Sequence, residues 1–149
     1  MKQQFIKEYT LKAKPTKRET RILRDSRDTF EELRNIYDPD TATIYETAYV
    51  IYLNQNNQIK GYLKLSDGGL TATIVDPRLI MMGALSSLAT AIILTHNHPS
   101  GSTRPSQEDR QLTKKIMAAC KLMDVSFIDH IIMAGDRYYS FRDNGELDN

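Results

Sequence analysis

The sequence has 149 residues, of which 20 are basic and 19 acidic, and 40% of its positions are hydrophobic. At this length one domain buries about 68–70% of the surface that its unfolded chain exposes, enough for a core without disulfides or a structural metal. The composition excludes collagen-like, disordered and disulfide-stapled proteins. Because Cys120 is the single cysteine, no intrachain disulfide and no cysteine-rich zinc site can form, and we expect a reducing, cytoplasmic setting.

The net charge of +1 hides an uneven distribution of charged residues. Residues 1–34 hold ten Lys or Arg and six Asp or Glu, whereas the remainder holds ten basic and thirteen acidic residues. Residues 1–25 are predicted to form a basic arm, which is either a solvated segment or a docking or nucleic-acid-binding segment. We expect residues 26–149 to form a single domain.

Neither export nor membrane insertion is expected from the sequence. The first nine residues lack the apolar core of a secretory signal. The charge-free run from Leu79 to Thr95 is shorter than the roughly 20 residues that a membrane span requires, and glycine, serine and threonine interrupt it. This run is typical of a buried helix followed by a buried strand.

The predicted elements begin in the arm, with a short strand near Phe5 to Leu11. Ser26 is predicted to cap a helix over residues 26–37. Residues 45–53 and 59–65 are rich in aromatic and β-branched side chains and flank a polar tetrad. Two such runs separated by a turn predict a β-hairpin.

The second half of the chain alternates helices and strands. After a third short run that reaches Val75, Asp76-Pro77 opens a nearly all-apolar helix, which is predicted to be buried. A buried strand over residues 91–95 and a helix from near Ser106 to about Met123 follow. The last strands are predicted over residues 125–133 and 137–141. This order of elements predicts a three-layer α/β sandwich around a mixed sheet.

A candidate metal site follows the strand over residues 91–95. Residues two apart in an extended segment project to the same side, so His96 and His98 can present both imidazoles to one point. Asp109, eleven residues beyond His98, offers a third ligand because the turn Pro99-Ser100-Gly101 lets the loop fold back. Two imidazoles and one carboxylate leave a fourth position open, which is typical of catalytic zinc.

Ser106 adds a hydroxyl to this candidate site. It precedes Asp109 by three residues, so on a helix both side chains lie on one face of the same turn. The pair also fits a capping box, in which the serine caps the helix and the acid reaches back. Ser106 is therefore a helix cap, a hydroxyl of the site, or both.

The pattern His96-x-His98-x(10)-Asp109, with Ser106 three residues before the aspartate, resembles the metal signature of the JAB/MPN (JAMM) metalloprotease superfamily. Within that superfamily the chain is similar to RadC-family domains over roughly residues 41–142. The positions that carry the resemblance are Glu46, Val75-Asp76-Pro77-Arg78, Ile92 to Gly101, Pro105-Ser106, Asp109, Thr113 and Asp129-His130-Ile131-Ile132. Many RadC proteins also carry a helix-hairpin-helix region, whose Gly-rich hairpins are not found in residues 1–40.

The resemblance implies a cytidine-deaminase-like core and a zinc metallopeptidase that cleaves peptide or isopeptide bonds of a protein substrate. It implies that His96, His98 and Asp109 bind Zn²⁺. It further implies that Glu46 holds and deprotonates a water molecule and that Ser106 donates to the developing oxyanion. Deaminase chemistry is disfavoured because the Cys-x-x-Cys ligands of those enzymes are absent.

Simpler interpretations are open for several of these residues. Glu46 is otherwise a solvent-facing strand residue. His130 lies among apolar strand residues and is predicted to be either a packed, hydrogen-bonded histidine or a partner that supports a metal ligand. Cys120 lies on the apolar side of its helix and is predicted to belong to the core.

Two other functions are compatible with the same sequence. A RadC-like module with a DNA-repair-related role would bind DNA or protein through the basic arm and have little or no peptidase activity. Metal-assisted cleavage of phosphodiesters is the other, because a zinc-activated water can attack phosphorus as well as carbon.

Overall fold

The computed structural model describes residues 2–10, 12–68 and 75–147. The helices and strands within these residues are α1 (Ser26–Ile36), β1 (Thr47–Leu53), β2 (Ile59–Asp67), α2 (Pro77–Ser87), β3 (Ala91–Asn97), α3 (Gln107–Leu122), β4 (Ser126–Ala134) and β5 (Arg137–Ser140). The hairpin, β3, α3 and the closing strands confirm the sequence prediction, with ends that differ by at most two residues. The third run predicted before Val75 falls on residues 69–74, outside the described residues.

The strands form one mixed sheet in the order β2-β1-β3-β4-β5. β3 and β4 are parallel, and the other neighbours are antiparallel. Helix α1 packs on one face of the sheet, and α2 and α3 pack on the other, which confirms the three-layer α/β sandwich. Because β1 and β3 are antiparallel, the end of β3 lies beside the start of β1.

The two central strands, β1 and β3, are buried on both faces. Val50 packs with the core under α2 and α3, whereas its neighbour Ile51 packs with the core under α1, and both are 0% exposed. A strand buried on both faces reads as a continuous apolar run, which is the pattern that predicted these strands. Cys120 belongs to the first of these cores, as predicted, and burial raises the pKa of its thiol to about 11.

The cap of α1 differs from the prediction. Asp25, not Ser26, is the N-cap, and its carboxylate accepts a hydrogen bond of 2.8 Å from the backbone N–H of Asp28. The Ser26 hydroxyl instead donates to the Asp143 carboxylate and lies 3.2 Å from the Tyr138 hydroxyl. Both residue types cap helices well, so sequence alone leaves the first turn ambiguous by one position.

The strand predicted near Phe5 to Leu11 is wrong for the described part of that range, residues 5–10, which are exposed and lie outside any strand. A strand requires a partner edge, and the arm reaches the sheet farther along the chain. Ile22 forms an antiparallel bridge with Gln58, and Leu23 is buried against α1.

The burial predicted for α2 is also wrong. Ile80 and Ala84 are its buried residues, whereas Leu79, Met82 and Leu85 are 39–50% exposed. A helix packed on one side of a sheet buries one stripe, and an almost charge-free sequence does not reveal which stripe that is. Across the described residues, moreover, no helix is long and apolar enough to cross a membrane.

Candidate metal centre

Four polar side chains meet where β3 ends and β1 begins. His96 is paired within β3 to Ala48 of β1 and to Ile132 of β4, so its backbone is held on both sides. His98 follows β3, Asp109 lies in the first turn of α3, and Glu46 immediately precedes β1. The four-residue cluster formed by Glu46, His96, His98 and Asp109 therefore depends on the antiparallel pairing of β1 and β3.

The ligand atoms of the four-residue cluster are close enough to share one ion. The Nε2 atoms of His96 and His98 lie 2.9 Å apart. The Asp109 carboxylate lies 3.2 Å from the first of these nitrogens and 3.3 Å from the second. Glu46 Oε1 is 3.7 Å from His96 Nε2, and one ligand atom from each residue lies within 4.8 Å of all the others.

These separations fit a tetrahedral metal ion. Ligand bonds of about 2.0–2.2 Å to a tetrahedral Zn²⁺ place neighbouring ligand atoms about 3.3–3.6 Å apart. The observed separations of 2.9–3.7 Å surround that range. Two imidazoles and two carboxylates are ligands that suit zinc and other divalent first-row metals. The residues present can therefore hold a metal ion.

Asp109 is positioned by the start of α3. The hydroxyl of Ser106 accepts a hydrogen bond of 3.0 Å from the Asp109 backbone N–H, and Asp109 Oδ2 accepts one of 2.8 Å from the Ser106 backbone N–H. This reciprocal pair is the capping box that the spacing predicted. One carboxylate thus completes a helix cap and faces two imidazoles.

The electrostatics of the cluster favour an ionised aspartate. Burial alone would raise the pKa of Asp109, but hydrogen bonds from His96 and His98 outweigh burial and hold it well below its usual range. The hydrogen bond to Asp109 raises the pKa of His98. A metal ion bound here would replace protons as the positive partner of the carboxylate.

His130 lies directly behind His96 and is 0% exposed. Its Nε2 is 2.8 Å from His96 Nδ1, and its Nδ1 is 2.7 Å from the Thr113 hydroxyl. The ring stacks on Phe141 with centroids 4.6 Å apart. The packed, hydrogen-bonded histidine that the sequence predicted is confirmed, and the same ring also contacts a candidate ligand.

Asp129 fixes the segment that carries these packing contacts. Its carboxylate accepts hydrogen bonds from the Ser140 hydroxyl at 2.6 Å and from the backbone N–H of Arg142 at 3.0 Å. It also accepts one of 2.7 Å from the backbone N–H of His130. Burial raises the pKa of Asp129. The Asp-His pair of β4 therefore has a divided role, one residue holding the chain and the other facing the cluster.

Asn97, to which the sequence motifs give no role, lies between the two histidines and is 3% exposed. Its side-chain oxygen accepts a hydrogen bond of 2.7 Å from the backbone N–H of Thr47. Its amide donates to the backbone carbonyls of Ala42 at 2.7 Å and Tyr45 at 2.8 Å. Asn97 thus ties the segment that carries Glu46 to the end of β3. The alternation of side chains along β3, which aims Asn97 away from the histidines, is the one signal that could have pointed to it.

The cavities of the described residues differ in their contact with the cluster. One of about 250 Å³ is bounded by His98, Pro99, Met133 and Arg137. The other, of about 310 Å³, is bounded by Tyr45 and by residues of the hairpin. The space at the cluster itself, bounded by Glu46, His96 and Asp109, is about 20 Å³.

The mixed sheet with helices on both faces, and the His/Asp/Glu cluster at one end of its central strands, define an α/β domain of the JAB/MPN class with a candidate metal site. The RadC-like JAB domain family matches residues 23–146. The chain belongs to this family.

Similar proteins have been catalogued in several bacteria. A UPF0758 protein of Flavobacterium johnsoniae is 46% identical over 101 residues, 68% of this chain and 44% of that protein. A UPF0758 protein of Chlorobium phaeovibrioides is 37% identical over 127 residues, 85% of this chain and 56% of that protein. UPF0758 protein YfjY of Escherichia coli is 42% identical over 102 residues, 68% of this chain and 64% of that protein. The chain spans about half the length of the curated relatives it matches, and their names state no activity.

Proposed function

We propose that this chain is a zinc-dependent hydrolase that cleaves peptide or isopeptide bonds. One observation carries the proposal: the ligand atoms of the four-residue cluster converge within 4.8 Å in a protein of the JAB domain family. Three ligands and an additional carboxylate are what a hydrolytic zinc site requires, because the ion is held by three groups and a base stands beside the fourth position.

The residues of this chain have separate roles in the proposed reaction. His96, His98 and Asp109 would hold Zn²⁺, which when bound lowers the pKa of a water ligand to about 7 and polarises a carbonyl group. Glu46 would accept the proton of the attacking water and pass it to the leaving amine. Its carboxylate lies 3.7 Å from His96 Nε2, and its side chain is 16% exposed. This position beside the ligands suits a general base.

Ser106 is proposed to donate a hydrogen bond to the oxyanion. Its hydroxyl oxygen already accepts the Asp109 N–H at 3.0 Å. Accepting that bond leaves the hydroxyl hydrogen to be donated elsewhere, so capping and catalysis do not compete for the same atom. The cap would fix the hydroxyl near the carboxylate that holds the metal.

The first experiment measures metal and hydrolysis together. Inductively coupled plasma mass spectrometry of protein purified without chelators is expected to find stoichiometric zinc, and His96→Ala is expected to lose it. The zinc-loaded protein is expected to cleave members of a quenched-fluorescence peptide library or lysine isopeptides. Absence of zinc from the wild type, or an unchanged metal content in His96→Ala, would sink the proposal.

Labelled DNA and RNA belong in the same assay. A zinc-dependent cleavage of these polymers, with no cleavage of peptides or isopeptides, would replace the proposed reaction by phosphodiester hydrolysis. Failure to cut either nucleic acid would support the peptide assignment, because the same activated water would then discriminate between carbonyl and phosphoryl centres.

A second candidate function rests on the exposure of the arm. All described residues from 2 to 20 are exposed, and they include Lys2, Lys7, Lys12, Lys14 and Lys17. Farther along, Arg18 pairs with Glu32, and Arg21 lies 3.2 Å from Asp28, so these two arginines already face acidic groups of α1. We propose that the lysine-bearing segment is the part available to DNA or to an acidic protein.

Deleting residues 1–17 tests this second function and keeps the ion pairs of Arg18 and Arg21 and the packing of Leu23. DNA binding that weakens steeply with salt and disappears in the deletion variant is expected if the arm makes phosphate contacts. Binding that is indifferent to the deletion would refute a role for the arm. Zinc content is expected to be equal in both proteins.

A further inference from the structure

All three histidines of the chain lie in or beside the metal centre, and two of them, His130 and His96, are linked by hydrogen bonds to Thr113. We propose that Thr113 and His130 form a relay that fixes the tautomer of His96, so that the Nε2 lone pair of His96 always faces the metal position. This inference rests on the proposed metal site and adds two positioning residues to it.

The relay begins at a backbone carbonyl. The Thr113 hydroxyl donates its single hydrogen to the carbonyl oxygen of Asp109, at 2.8 Å. Its contact of 2.7 Å with His130 Nδ1 must therefore use a hydrogen from the ring nitrogen. A neutral imidazole carries one N–H, so His130 Nε2 is an acceptor.

The acceptor character of His130 Nε2 determines the state of His96. His96 Nδ1 lies 2.8 Å from that nitrogen and must donate its hydrogen to it. The other nitrogen of His96, Nε2, is then the one that a metal ion can bind, once the ion replaces the proton beside the carboxylates of Asp109 and Glu46, which lie 3.2 and 3.7 Å away. A ligating imidazole requires this form.

Burial keeps the relay in its neutral form. His130 is 0% exposed and stacks on Phe141, a setting that disfavours a charged ring. A neutral His130 leaves only one hydrogen to place, and Thr113 places it.

His98 is set in the same tautomer by a shorter route. Its Nδ1 lies 2.8 Å from the carbonyl oxygen of Ser102, which can only accept, so Nδ1 donates and Nε2 is left to face the metal position. Backbone carbonyls thus determine both imidazoles, one directly and one through two side chains. Asp109 contributes twice, because its carbonyl starts the relay and its carboxylate faces the ligand that the relay orients.

The first test needs neither metal nor substrate. Long-range ¹H–¹⁵N correlation spectra of the metal-free protein, at about two pH units above the ordinary histidine pKa of about 6.5, report which ring nitrogen carries the hydrogen. We expect a hydrogen on Nδ1 of all three rings and none on Nε2 of His130. A hydrogen on Nε2 of His130, or none on Nδ1 of His96, would overturn the proposal.

The second test measures zinc affinity by competition with a chromophoric chelator. Thr113→Val removes the hydroxyl and is expected to weaken zinc binding roughly 10–100-fold, the usual effect of losing an outer hydrogen-bond partner of a ligand. Thr113→Ser keeps the hydroxyl and is expected to bind as the wild type does. His130→Gln can accept from His96 and donate to Thr113, so it is expected to bind more tightly than His130→Leu.

Thr29 provides the matched control. It is 2% exposed on α1, and its hydroxyl also donates to the carbonyl four residues earlier, that of Asp25, at 3.0 Å. Thr29→Val is expected to lower stability without changing zinc affinity. Equal losses of affinity in Thr29→Val and Thr113→Val, or none in Thr113→Val, would overturn the relay.

The outcomes separate the relay from the proposed hydrolase. A protein that binds zinc with the expected variant pattern and hydrolyses nothing would retain the relay and lose the hydrolase. The predicted tautomers in a protein that binds no zinc would support the hydrogen-bond relay while removing the proposed function. A hydrogen on Nε2 of His130 in an active zinc hydrolase would remove the relay alone.

Discussion

His96 and Glu46 lie 3.7 Å apart and yet are held in contrasting ways. His96 belongs to a central strand with partners on both sides, is 4% exposed, and has a buried ring behind it. Glu46 precedes its strand, on a segment whose backbone is held by the side chain of Asn97. His96 is therefore part of the buried core, whereas Glu46 lies on a segment that hydrogen bonds from Asn97 hold against the core.

This contrast assigns different tasks to the two parts of the cluster. A metal ligand must keep its position whether or not substrate is present, and burial between regular elements achieves that. A base must follow the proton that it transfers, so a loop position with defined anchors suits it. Changes on the His96 side are therefore expected to alter metal affinity, and changes on the Glu46 side to alter the rate.

Glu46→Gln is expected to separate the reaction rate from metal binding most strongly. Loss of the base should lower kcat about 10²–10⁴-fold, while the ligands keep stoichiometric zinc. Metal analysis and hydrolysis rates on the same preparation check this. Glu108→Gln, an exposed change in the first turn of α3, is the control and should leave both quantities unchanged. Loss of zinc together with the rate would place Glu46 among the ligands.

Ser106 is expected to show the next largest effect, because it serves the ligand side and the reacting side together. Ser106→Ala should lower kcat about 10²–10³-fold if the hydroxyl faces the oxyanion, and should cost about 0.5–2 kcal/mol of stability through the lost cap.

Ser106→Gly divides these two contributions. Glycine caps a helix nearly as well as serine, with a loss of only a few tenths of a kcal/mol, but has no hydroxyl. A rate loss equal to that of Ser106→Ala, measured with little change in the urea midpoint, is expected. Recovery of the rate in the glycine variant would show that Ser106 acts as a cap alone.

Asn97→Ala is expected to loosen Glu46 without touching the ligands. The three hydrogen bonds to residues 42–47 disappear, and a base displaced by about 1 Å can cost about 10²-fold in rate. Zinc content should stay stoichiometric, and amide exchange should rise in residues 42–47. In a Glu46→Gln background the same substitution should cause no further loss of rate.

Asn54 is the control for this prediction, because it lies at the opposite end of β1. Its side chain accepts hydrogen bonds from the backbone N–H groups of Asn56 at 2.9 Å and Gln58 at 3.1 Å. Asn54→Ala should destabilise the hairpin turn and leave the rate unchanged. Equal rate losses in the two variants would mean that Asn97 contributes stability and no positioning.

The sequence could predict those parts of the site whose residues are close to each other in the chain. His96 and His98 lie two residues apart at the end of β3, and Ser106 and Asp109 lie three apart at the start of α3, so each pair is brought together by the local repeat of its element. The approach of Glu46 to His96 depends on the antiparallel pairing of two strands distant in sequence, and no local pattern contains it. The resemblance to a family supplied that residue.

Local sequence patterns could not identify the side chains that act through another residue. Asn97 contacts backbone about fifty residues away, and Thr113 meets His130 across α3 and β4. The prediction for α2 was also wrong, because its apolar composition predicted full burial, whereas the structure exposes Leu79, Met82 and Leu85. Which stripe of a helix is buried depends on its partners.

The end of α2 gives the smallest expected effect, far from the site. Leu88 caps α2 in the left-handed region with φ 52°, and its side chain is 79% exposed. Leucine in this conformation costs roughly 1–2 kcal/mol, and the greater freedom of glycine in the unfolded chain offsets roughly 0.4–1 kcal/mol of that. Leu88→Gly is therefore expected to stabilise the protein by about 0.5–1 kcal/mol.

Leu122 makes this prediction specific to backbone conformation. Its exposure of 83% is close to the 79% of Leu88, but it lies in the last turn of α3. The same change at Leu122 should cost up to about 1 kcal/mol, because glycine is a poor helix former. Urea unfolding of both variants should give shifts of opposite sign, with zinc content unchanged in each. Shifts of the same sign would mean that the exposed leucine side chain, and not the left-handed backbone, determines the stability at this end of the helix.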